Sequence, residues 1–319
     1  MSVAQAAVDG GAPEGKRALS VSPHARRGGL KAGEGRFGIL LLVPALIAFG
    51  VVVLWPFVRA LSLSLYEYTL QTPEPVFVGL QNFADVLTNP QVQQSFVVTG
   101  IYVTLATTFS ITLGLAWALI LNQHFRGRAA LRSISLIPWI MPSVVTAFLW
   151  GWVFNSRYGL LNHVALELGL IDFPQAWLST SAGAMAAIVI TKVWLSIPLF
   201  MAFFLAGLAS LDREQIEAAR VDGAGNWPVL RDHILPHLRP VLLVVIVLGM
   251  IGNLQQFDTI WALTAGGPVR STTVLSVEVY RRAFESWDIG MAATVGVLWV
   301  ATILPPAALY LHRLMKGAD

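Results

Sequence analysis

The stretch EAARVDGAGNWPVLRDHILPHLRP, Glu217 to Pro240, lies between two long apolar segments. A few residues are enough to connect two helices, yet this connection is long and is punctuated by charge, glycine and proline. Its length and composition indicate a folded unit with a role of its own.

Two short helices are predicted around this stretch. Asp212 can cap the first, with Gln215 reaching back as in a capping box, and Gly223 sits where a left-handed C-terminal cap is expected. The second helix can begin at Asn226, with Pro228 in its first turn, where a missing N–H costs nothing. The residues expected to break the chain again before the next apolar segment are Pro236 and Pro240.

The first short helix has the character of a protein contact. Ala218 and Ala219 form a small-residue face that permits close approach by another surface. The acids around them are set against two bases; these charged residues are Asp212, Glu214, Glu217 and Asp222 with Arg213 and Arg220. A helix resting on lipid headgroups would carry a bulky apolar face and an excess of Lys and Arg. The pattern therefore favours a protein groove over a lipid surface.

The composition places the chain in a membrane. Of its 319 residues, 55% are hydrophobic and only 12% are charged, whereas a soluble domain has about a quarter of its residues charged. The absence of cysteine excludes disulfides, thiolate metal sites and cysteine nucleophiles. The net charge of +3 is small and is explained by its distribution along the chain, so a nucleic-acid partner is set aside.

Six apolar segments are long enough to cross about 30 Å of hydrocarbon as helices. They are approximately 38–58, 96–121, 133–154, 183–209, 240–263 and 291–313. With the N-terminus inside, the inner segments hold 15 Lys and Arg and the outer segments hold 5. This asymmetry predicts an all-α protein of six transmembrane helices with both termini in the cytoplasm. It puts the 210–239 loop inside and the long 59–95 connection outside.

The two ends of the chain are predicted to be tails. Residues 1–36 are rich in Gly, Ala and basic residues, which is typical of a disordered cytoplasmic segment. The apolar segment after Arg36 is followed by no A-x-A cleavage site, so we interpret it as a retained first span. The predicted organisation is a tail over 1–36, a membrane domain over 37–315 and a tail over 316–319.

Prolines inside the predicted spans have two interpretations. Pro138 and Pro142, Pro198, and Pro305 and Pro306 are expected to break the helices that contain them. They are either ordinary kinks, since proline is common in membrane helices, or bends that line a pathway.

The loop carries a family resemblance. Glu217-Ala218-Ala219, then Gly223, then Leu235-Pro236 resembles the EAA loop of permeases in binding-protein-dependent ABC importers, with His233 where that family usually has isoleucine. No G-x-x-x-x-G-K-[ST] sequence occurs in this chain, so ATP and Mg are expected on another subunit.

The resemblance extends over roughly residues 37–315 and is similar to the maltose-type carbohydrate permeases, of the first-subunit type. The segments that carry it are Gly79–Phe83, Pro138–Pro142, Ala206–Leu208 and Leu263–Pro268. It implies the fold of a type I ABC importer permease in a bacterial cytoplasmic (inner) membrane. It also implies a complex with a second permease, two copies of an ATPase and an external binding protein that delivers a sugar.

The resemblance implies roles for the loop residues. Glu217 would be the acidic contact to the ATPase and Gly223 the turn that seats the helix in its cleft. The full set of implied coupling residues is Glu217, Ala218, Ala219, Asp222, Gly223, Leu235 and Pro236. The chain would be a transport subunit and no enzyme, with no catalytic residue, metal site or cofactor of its own.

Amides in the fifth predicted span are candidates for sugar binding. Asn253 and Gln256 are three residues apart and are expected to share a helix face, with Asp258 close behind. Amides beside aromatic rings suit sugar hydroxyls and C–H faces, but they serve equally well in interhelical hydrogen bonds between subunits. The resemblance places Asn253 and Gln256 at sugar contacts.

Lys192 lies inside the fourth predicted span, where a lysine is costly and needs a partner or a water-filled path. It either pairs with Asp258 or faces the chamber, where it would favour a sugar bearing a phosphate, carboxylate or sulfonate. The resemblance implicates the same segment in sugar contact through Lys192, Ser196 and Leu199.

The outer segment Thr272–Trp287 is predicted to be a short helix before the last span. It either skims the membrane or belongs to the surface that receives the binding protein. The residues considered for that surface are Tyr280, Arg281, Arg282 and Phe284.

Two other classes of protein fit less well. An ion-coupled secondary transporter would normally show internal repeats with paired broken helices, and no duplication is evident. A membrane enzyme would need clustered titratable groups, whereas the six histidines are scattered. The sugar itself is not identified by the sequence.

Overall fold

The computed structural model describes residues 32–71 and 74–316, and it divides into two compact units, residues 1–55 and 56–319. Most of the predicted N-terminal tail lies outside the described residues, and residues 32–36 are helical. The first unit holds α1, Ala32–Phe49, which contains Pro44, and the π-helical turn Gly50–Leu54. Of the predicted C-terminal tail, Lys316 ends the last helix and residues 317–319 lie outside the described part.

The rest of the described chain is mostly helical. The helices up to the third predicted span are α2 Trp55–Leu63, α3 Gln81–Thr88, α4 Pro90–Asn122, α5 Arg128–Ser135, α6 Ile137–Ile140 and α7 Ser143–Val153. Those up to the loop are α8 Leu160–Glu167, the 3₁₀ turn Trp177–Ser179 and α9 Ser181–Ala209. Those of the loop are α10 Arg213–Val221, α11 Asn226–Pro228, the π-helical turn Val229–Ile234 and α12 Leu235–His237. The last are α13 Arg239–Leu254, α14 Asp258–Thr264, α15 Leu275–Tyr280, the π-helical turn Arg281–Glu285 and α16 Ile289–Lys316.

One small sheet departs from the predicted all-α content. Strands β1, Tyr66–Glu67, and β2, Val76–Phe77, pair antiparallel in the long connection after α2. Each strand has only two residues, so the sheet is a local feature of this connection and the fold is helical.

Four helices are long and apolar enough to cross a membrane within the described residues. They are Leu40–Leu63, Pro90–Asn122, Ser181–Ala209 and Ile289–Ala308. Two bent pairs raise the number to six if each pair is one span: Arg128–Ile140 with Ser143–Val153, bent by 99°, and Asn226–His237 with Arg239–Leu254, bent by 71°. Each predicted span thus has a helical counterpart, and the third and fifth are broken.

The prolines break the chain at fewer places than expected. The third predicted span is interrupted at Met141, whose backbone is extended because Pro142 follows it. Pro198, Pro305 and Pro306 lie inside continuous helices, so the expectation that they break those helices was wrong. Pro198 is buried in the core, where neighbouring helices support the helix that carries it.

Helices α4 and α9 form the centre of the second unit and pack along their length. A Cβ added to Gly114 of α4 would lie 2.8 Å from the Cβ of Phe200 on α9, so glycine is what allows the two helices to approach this closely. Buried apolar residues from α4, α9 and α14 form one core, including Tyr102, Ile188 and Ile260. A second core, including Phe204 and Leu238, lies where α9 meets the start of α13.

Candidate functional site

The fifth predicted span is interrupted in its middle. Helix α13 ends at Leu254 and α14 begins at Asp258, with Gln255 to Phe257 in non-helical geometry between them. Asn253 and Gln256 therefore do not share a helix face, and that prediction was wrong. We call residues Asn253 to Asp258 the break segment.

Side chains from neighbouring helices satisfy the backbone of the break segment. The Oγ of Ser276 on α15 donates to the carbonyl of Gln256 at 2.6 Å, and the indole Nε1 of Trp299 on α16 donates to the carbonyl of Leu254 at 2.9 Å. A broken helix in a membrane leaves carbonyls that protein or water must satisfy. The neighbours meet this requirement, which indicates that the break is a built feature of the fold.

Lys192 reaches the break segment from α9. Its Nζ donates to Oε1 of Gln256 at 2.8 Å, and Nε2 of Gln256 donates to Oγ1 of Thr259 at 3.1 Å. Asp258 is engaged elsewhere, because Oδ2 accepts from Oγ of Ser143 on α7 at 3.1 Å. The alternative of a Lys192–Asp258 ion pair is not formed, and within the described residues no carboxylate lies within 4.0 Å of Lys192.

The other predicted substrate residues are placed differently. Asn253 is only 3% exposed and its Nδ2 donates to Oγ1 of Thr107 on α4 at 2.9 Å, an interhelical bond within this chain. Ser196 and Leu199 lie on α9, on the same helix as Lys192, and are half-buried. The structure thus joins Lys192 and Gln256, while Asn253 ties α13 to α4.

The two short helices of the 210–239 loop are present. Oδ1 of Asp212 accepts from the backbone N–H of Glu214 at 3.0 Å and caps α10, and Gly223 follows the helix with a φ of +86°. The second helical segment begins at Asn226 as predicted and runs to His237. It continues through Pro236, and the 71° bend falls at Leu238, so the breaks predicted at Pro236 and Pro240 are misplaced.

The loop is fastened to the ends of two membrane helices. Ser210 Oγ lies 3.1 Å from Nε2 of His237, which also lies 3.2 Å from the carbonyl of Gly207 at the end of α9. Leu238 is fully buried, and a Cβ added to Gly207 would lie 2.7 Å from its side chain. These contacts join the loop to the end of α9 and the start of α13.

The exposed surface of α10 carries acidic and small side chains. Glu217 and Ala218 are exposed, Ala219 is half-buried, and the structure gives the carboxylate of Glu217 no hydrogen bond or ion pair among the described residues. Among the other implied coupling residues, Leu235 is half-buried and Pro236 is exposed. The remaining two, Asp222 and Gly223, end the helix at its exposed tip.

Two large apolar side chains on the loop were missed by the sequence reasoning. Val221 is 86% exposed at the end of α10, and Trp227 is 65% exposed in the second helix. An exposed apolar side chain beside polar ones is a candidate contact for another molecule. The sequence did not single out these two, because the loop also carries apolar residues that are buried, such as Leu238. Farther along, the hydrogen bond from Arg231 lowers the pKa of Asp232 at the surface.

The arginines that precede the last helix bind acceptor groups within this chain. Arg282 Nε donates to Oε1 of Glu278 at 2.7 Å, Arg270 also binds Glu278, and Arg281 Nη2 donates to the carbonyl of Ala265 at 2.7 Å. Glu278, which the sequence reasoning did not single out, is 2% exposed. Of the residues considered for a partner surface, Phe284 is the exposed one, at 64%.

In the described part of the chain, no group of three or more His, Asp or Glu side chains lies close enough together to hold a metal ion. The two candidate sites are therefore the Lys192–Gln256 pair with the break segment and the exposed surface of the 210–239 loop.

Comparison with known proteins places these features in context. The family model described as "Binding-protein-dependent transport system inner membrane component" matches residues 110–312. The trehalose/maltose transport system permease protein MalF of Thermococcus litoralis is 35% identical over 88% of this chain and 95% of that protein. The sulfoquinovosyl glycerol transport system permease protein SmoG of Agrobacterium fabrum is 29% identical over 91% and 94%.

A solved structure shares the architecture. A chain in the crystal structure of a bacterial alginate ABC transporter, in complex with an alginate pentasaccharide-bound periplasmic protein, superposes with a TM-score of 0.75. The match covers 88% of this chain and 94% of that one at 20% sequence identity, so it speaks to the fold alone.

Proposed function

Since this chain belongs to the family of binding-protein-dependent transport system inner membrane components, as a permease subunit of an ABC sugar importer, we propose that it couples a partner ATPase to sugar import through the 210–239 loop. In this proposal ATP and Mg are bound by the ATPase, and a second permease completes the pathway. An external binding protein delivers the sugar. The localisation that follows is the inner membrane.

The observation that carries this proposal is the exposed surface of α10. Glu217 offers a free carboxylate, Ala218 leaves room for a close approach, and Val221 adds an apolar contact at 86% exposure. An interface needs an apolar centre and a few polar groups around it. Because the loop is bonded to the ends of α9 and α13, a partner that moves α10 also moves the helices that carry Lys192 and the break segment.

The proposal is tested by Glu217→Lys and Val221→Asp. We expect both variants to be recovered from the membrane in wild-type amounts, because neither side chain is buried, and to lose most of the ATPase in copurification. Glu167→Lys is the matched control, since it reverses an exposed acid on another short helix, α8. If both loop variants recruit the ATPase and take up sugar at wild-type levels, the loop is not the site of ATPase coupling.

We further propose that the sugar is bound beside Lys192 and Gln256. Within the described residues the ammonium group is bonded to a neutral amide, so both groups retain capacity for hydroxyl and anionic ligands. Ser196 and Leu199 follow on the same helix, and the exposed Asp258 lies at the end of the break segment. Asn253 supports this site by holding α13 against α4.

A second candidate is an importer for an anionic sugar, and Lys192 is the observation that favours it. A lysine inside a span with no carboxylate within 4.0 Å in the described structure has an unmatched charge, which a uronate, phosphate or sulfonate would neutralise. The relative from Agrobacterium fabrum is named for sulfoquinovosyl glycerol, a sugar derivative that carries a sulfonate.

Charge-selective uptake separates the two candidates. In Lys192→Met, which keeps the length and removes the charge, we expect uptake of an anionic probe, sulfoquinovosyl glycerol, to fall at least fivefold more than uptake of maltose or trehalose. Lys192→Arg serves as the charge-retaining control. An equal loss for both kinds of probe favours a neutral sugar, and unchanged uptake of both removes Lys192 from the binding site.

A further inference from the structure

Four aromatic side chains run from the break segment to the surface, and we call them the aromatic row: Phe257, Trp261, Tyr280 and Phe284. The rings of Phe257 and Trp261 stack with their planes 14° apart and their centroids 5.8 Å apart. Tyr280 lies 5.1 Å from Phe257 and 4.5 Å from Trp261, and Phe284 lies 5.1 Å from Tyr280. Each ring is thus within contact distance of the next.

The aromatic row has a polar inner end and an exposed outer end. Phe257 directly follows Gln256, whose side chain binds Lys192, while Phe284 is 64% exposed. The three inner rings are half-buried. Phe257 and Trp261 also pack against the core formed by α4, α9 and α14, and the exposed part of each ring is available for contact.

The backbone that carries the aromatic row is held in place. Ser276 ties α15 to the carbonyl of Gln256 at 2.6 Å, which fixes Tyr280 relative to the break segment. The π-helical turn that carries Phe284 is held by Arg282 on Glu278 and by Arg281 on the carbonyl of Ala265. Phe284 is therefore presented on a fixed backbone, and a ligand that stacks on it orders little of the chain.

We propose that the aromatic row guides the sugar from the outer surface to Lys192 and Gln256, with the C–H faces of the sugar stacking on successive rings. Aromatic faces are apolar and carry a negative quadrupole, which suits the C–H face of a pyranose, and the hydroxyls remain free for the amide and the ammonium at the inner end. This inference rests on the proposed function. A docking surface for the binding protein is less well supported, because both arginines beside Phe284 are bonded internally.

The test uses the complete transporter in proteoliposomes and three leucine variants. Phe284→Leu and Tyr280→Leu remove rings of the aromatic row, and Phe284→Trp keeps a ring. Phe173→Leu is the matched control, because Phe173 is also 64% exposed and belongs to no aromatic contact in the described structure. The readouts are ATP-driven uptake of radiolabelled maltose, trehalose and sulfoquinovosyl glycerol, and the affinity of the sugar-loaded binding protein.

We expect Phe284→Leu and Tyr280→Leu to lower uptake of the transported probe at least threefold at unchanged binding-protein affinity, with Phe284→Trp and Phe173→Leu near wild type. Wild-type uptake in Phe284→Leu overturns the inference and leaves the proposed function intact. A loss of binding-protein affinity that accounts for the loss of uptake also overturns it, and makes Phe284 a docking residue. A wild-type complex that recruits no ATPase, or that imports a probe without ATP, contradicts the proposed function and this inference together.

Discussion

Gly114 shows how one missing side chain sets the distance between two helices. A Cβ there would lie 2.8 Å from the Cβ of Phe200 and 3.3 Å from the backbone nitrogen of Met201, so neither neighbour can give way easily. We expect Gly114→Val to destabilise the protein by about 1–3 kcal/mol, which is typical of overpacking. The measurement is the thermal midpoint of the purified protein in detergent, together with its yield.

Gly100→Val is the control for this effect. Gly100 lies on the same helix, and nothing lies within 4 Å of a Cβ built there. The same substitution therefore adds the same side chain with no clash. Equal midpoints for the two variants would show that close packing at Gly114 does not limit stability.

Residues of the candidate site could be singled out from the sequence where a polar side chain lies within an apolar segment. Lys192 and Gln256 stood out because polar groups are rare inside spans. Their mutual bond could not be predicted, because it depends on the span breaking after Leu254, which rotates Gln256 off the face of α13. Glu278 escaped notice because an acid in an outer loop is ordinary in a sequence and exceptional only when buried.

At the scale of elements, the end of α10 depends on Gly223. Its φ is +86°, a conformation that costs an L-residue about 1–2 kcal/mol. No atom lies within 4 Å of a Cβ added there, so the cost of a substitution comes from the backbone conformation alone. We expect Gly223→Ala to fray the end of α10 and to weaken copurification of the ATPase several-fold.

Gly225→Ala provides the comparison in the same turn. Gly225 has a φ of −72°, and the nearest atom to an added Cβ is 3.9 Å away, so alanine fits without strain. We expect ATPase recovery close to wild type for this variant. Loss of the ATPase in Gly225→Ala but not in Gly223→Ala would contradict the role given to the left-handed turn.

Caps were predictable and bends were not. Asp212 and Gly223 act through their own neighbours in sequence, so their roles are local. The bend between the loop and α13 falls at Leu238 because that side chain packs under Gly207, a contact across thirty-one positions of chain. Pro236 does not break the helical segment, which passes from the π-helical turn Val229–Ile234 into α12 at this position and continues to His237.

The whole molecule is suited to a topology test because it contains no cysteine. His124 and Ser286 are exposed in segments predicted to lie inside and outside, respectively. We expect Ser286→Cys to react with a membrane-impermeant thiol reagent in intact cells and His124→Cys to react only after permeabilisation.

The wild-type chain is the blank for this experiment, since it has no thiol to label. Both variants must also retain uptake, which shows that the substituted chains are assembled normally. The reverse labelling pattern would invert the topology and place the 210–239 loop on the side of the membrane away from any cytoplasmic ATPase.

For the molecule as a whole, apolar length was enough to locate helices at each predicted span, because the hydrocarbon sets the length of a spanning helix. The orientation inferred from the charge asymmetry stays a prediction. Hydropathy did not reveal that α4 begins at Pro90, capped by Asn89, that the third segment is bent, or that the fifth is interrupted after Leu254. Those features arise from helix capping outside the hydrocarbon and from packing between distant segments, which hydropathy does not register.

The 16 residues of α13 separate the bend at Leu238 from the Lys192–Gln256 hydrogen bond. At 1.5 Å per residue this is a lever arm of about 24 Å, so a tilt of about 10° against α9 at its loop end would displace the far end by about 4 Å. A hydrogen bond of 2.8 Å does not survive such a displacement. If the proposed coupling tilts α13 in this way, the ammonium of Lys192 and the amide of Gln256 separate, and both groups become available to a bound sugar.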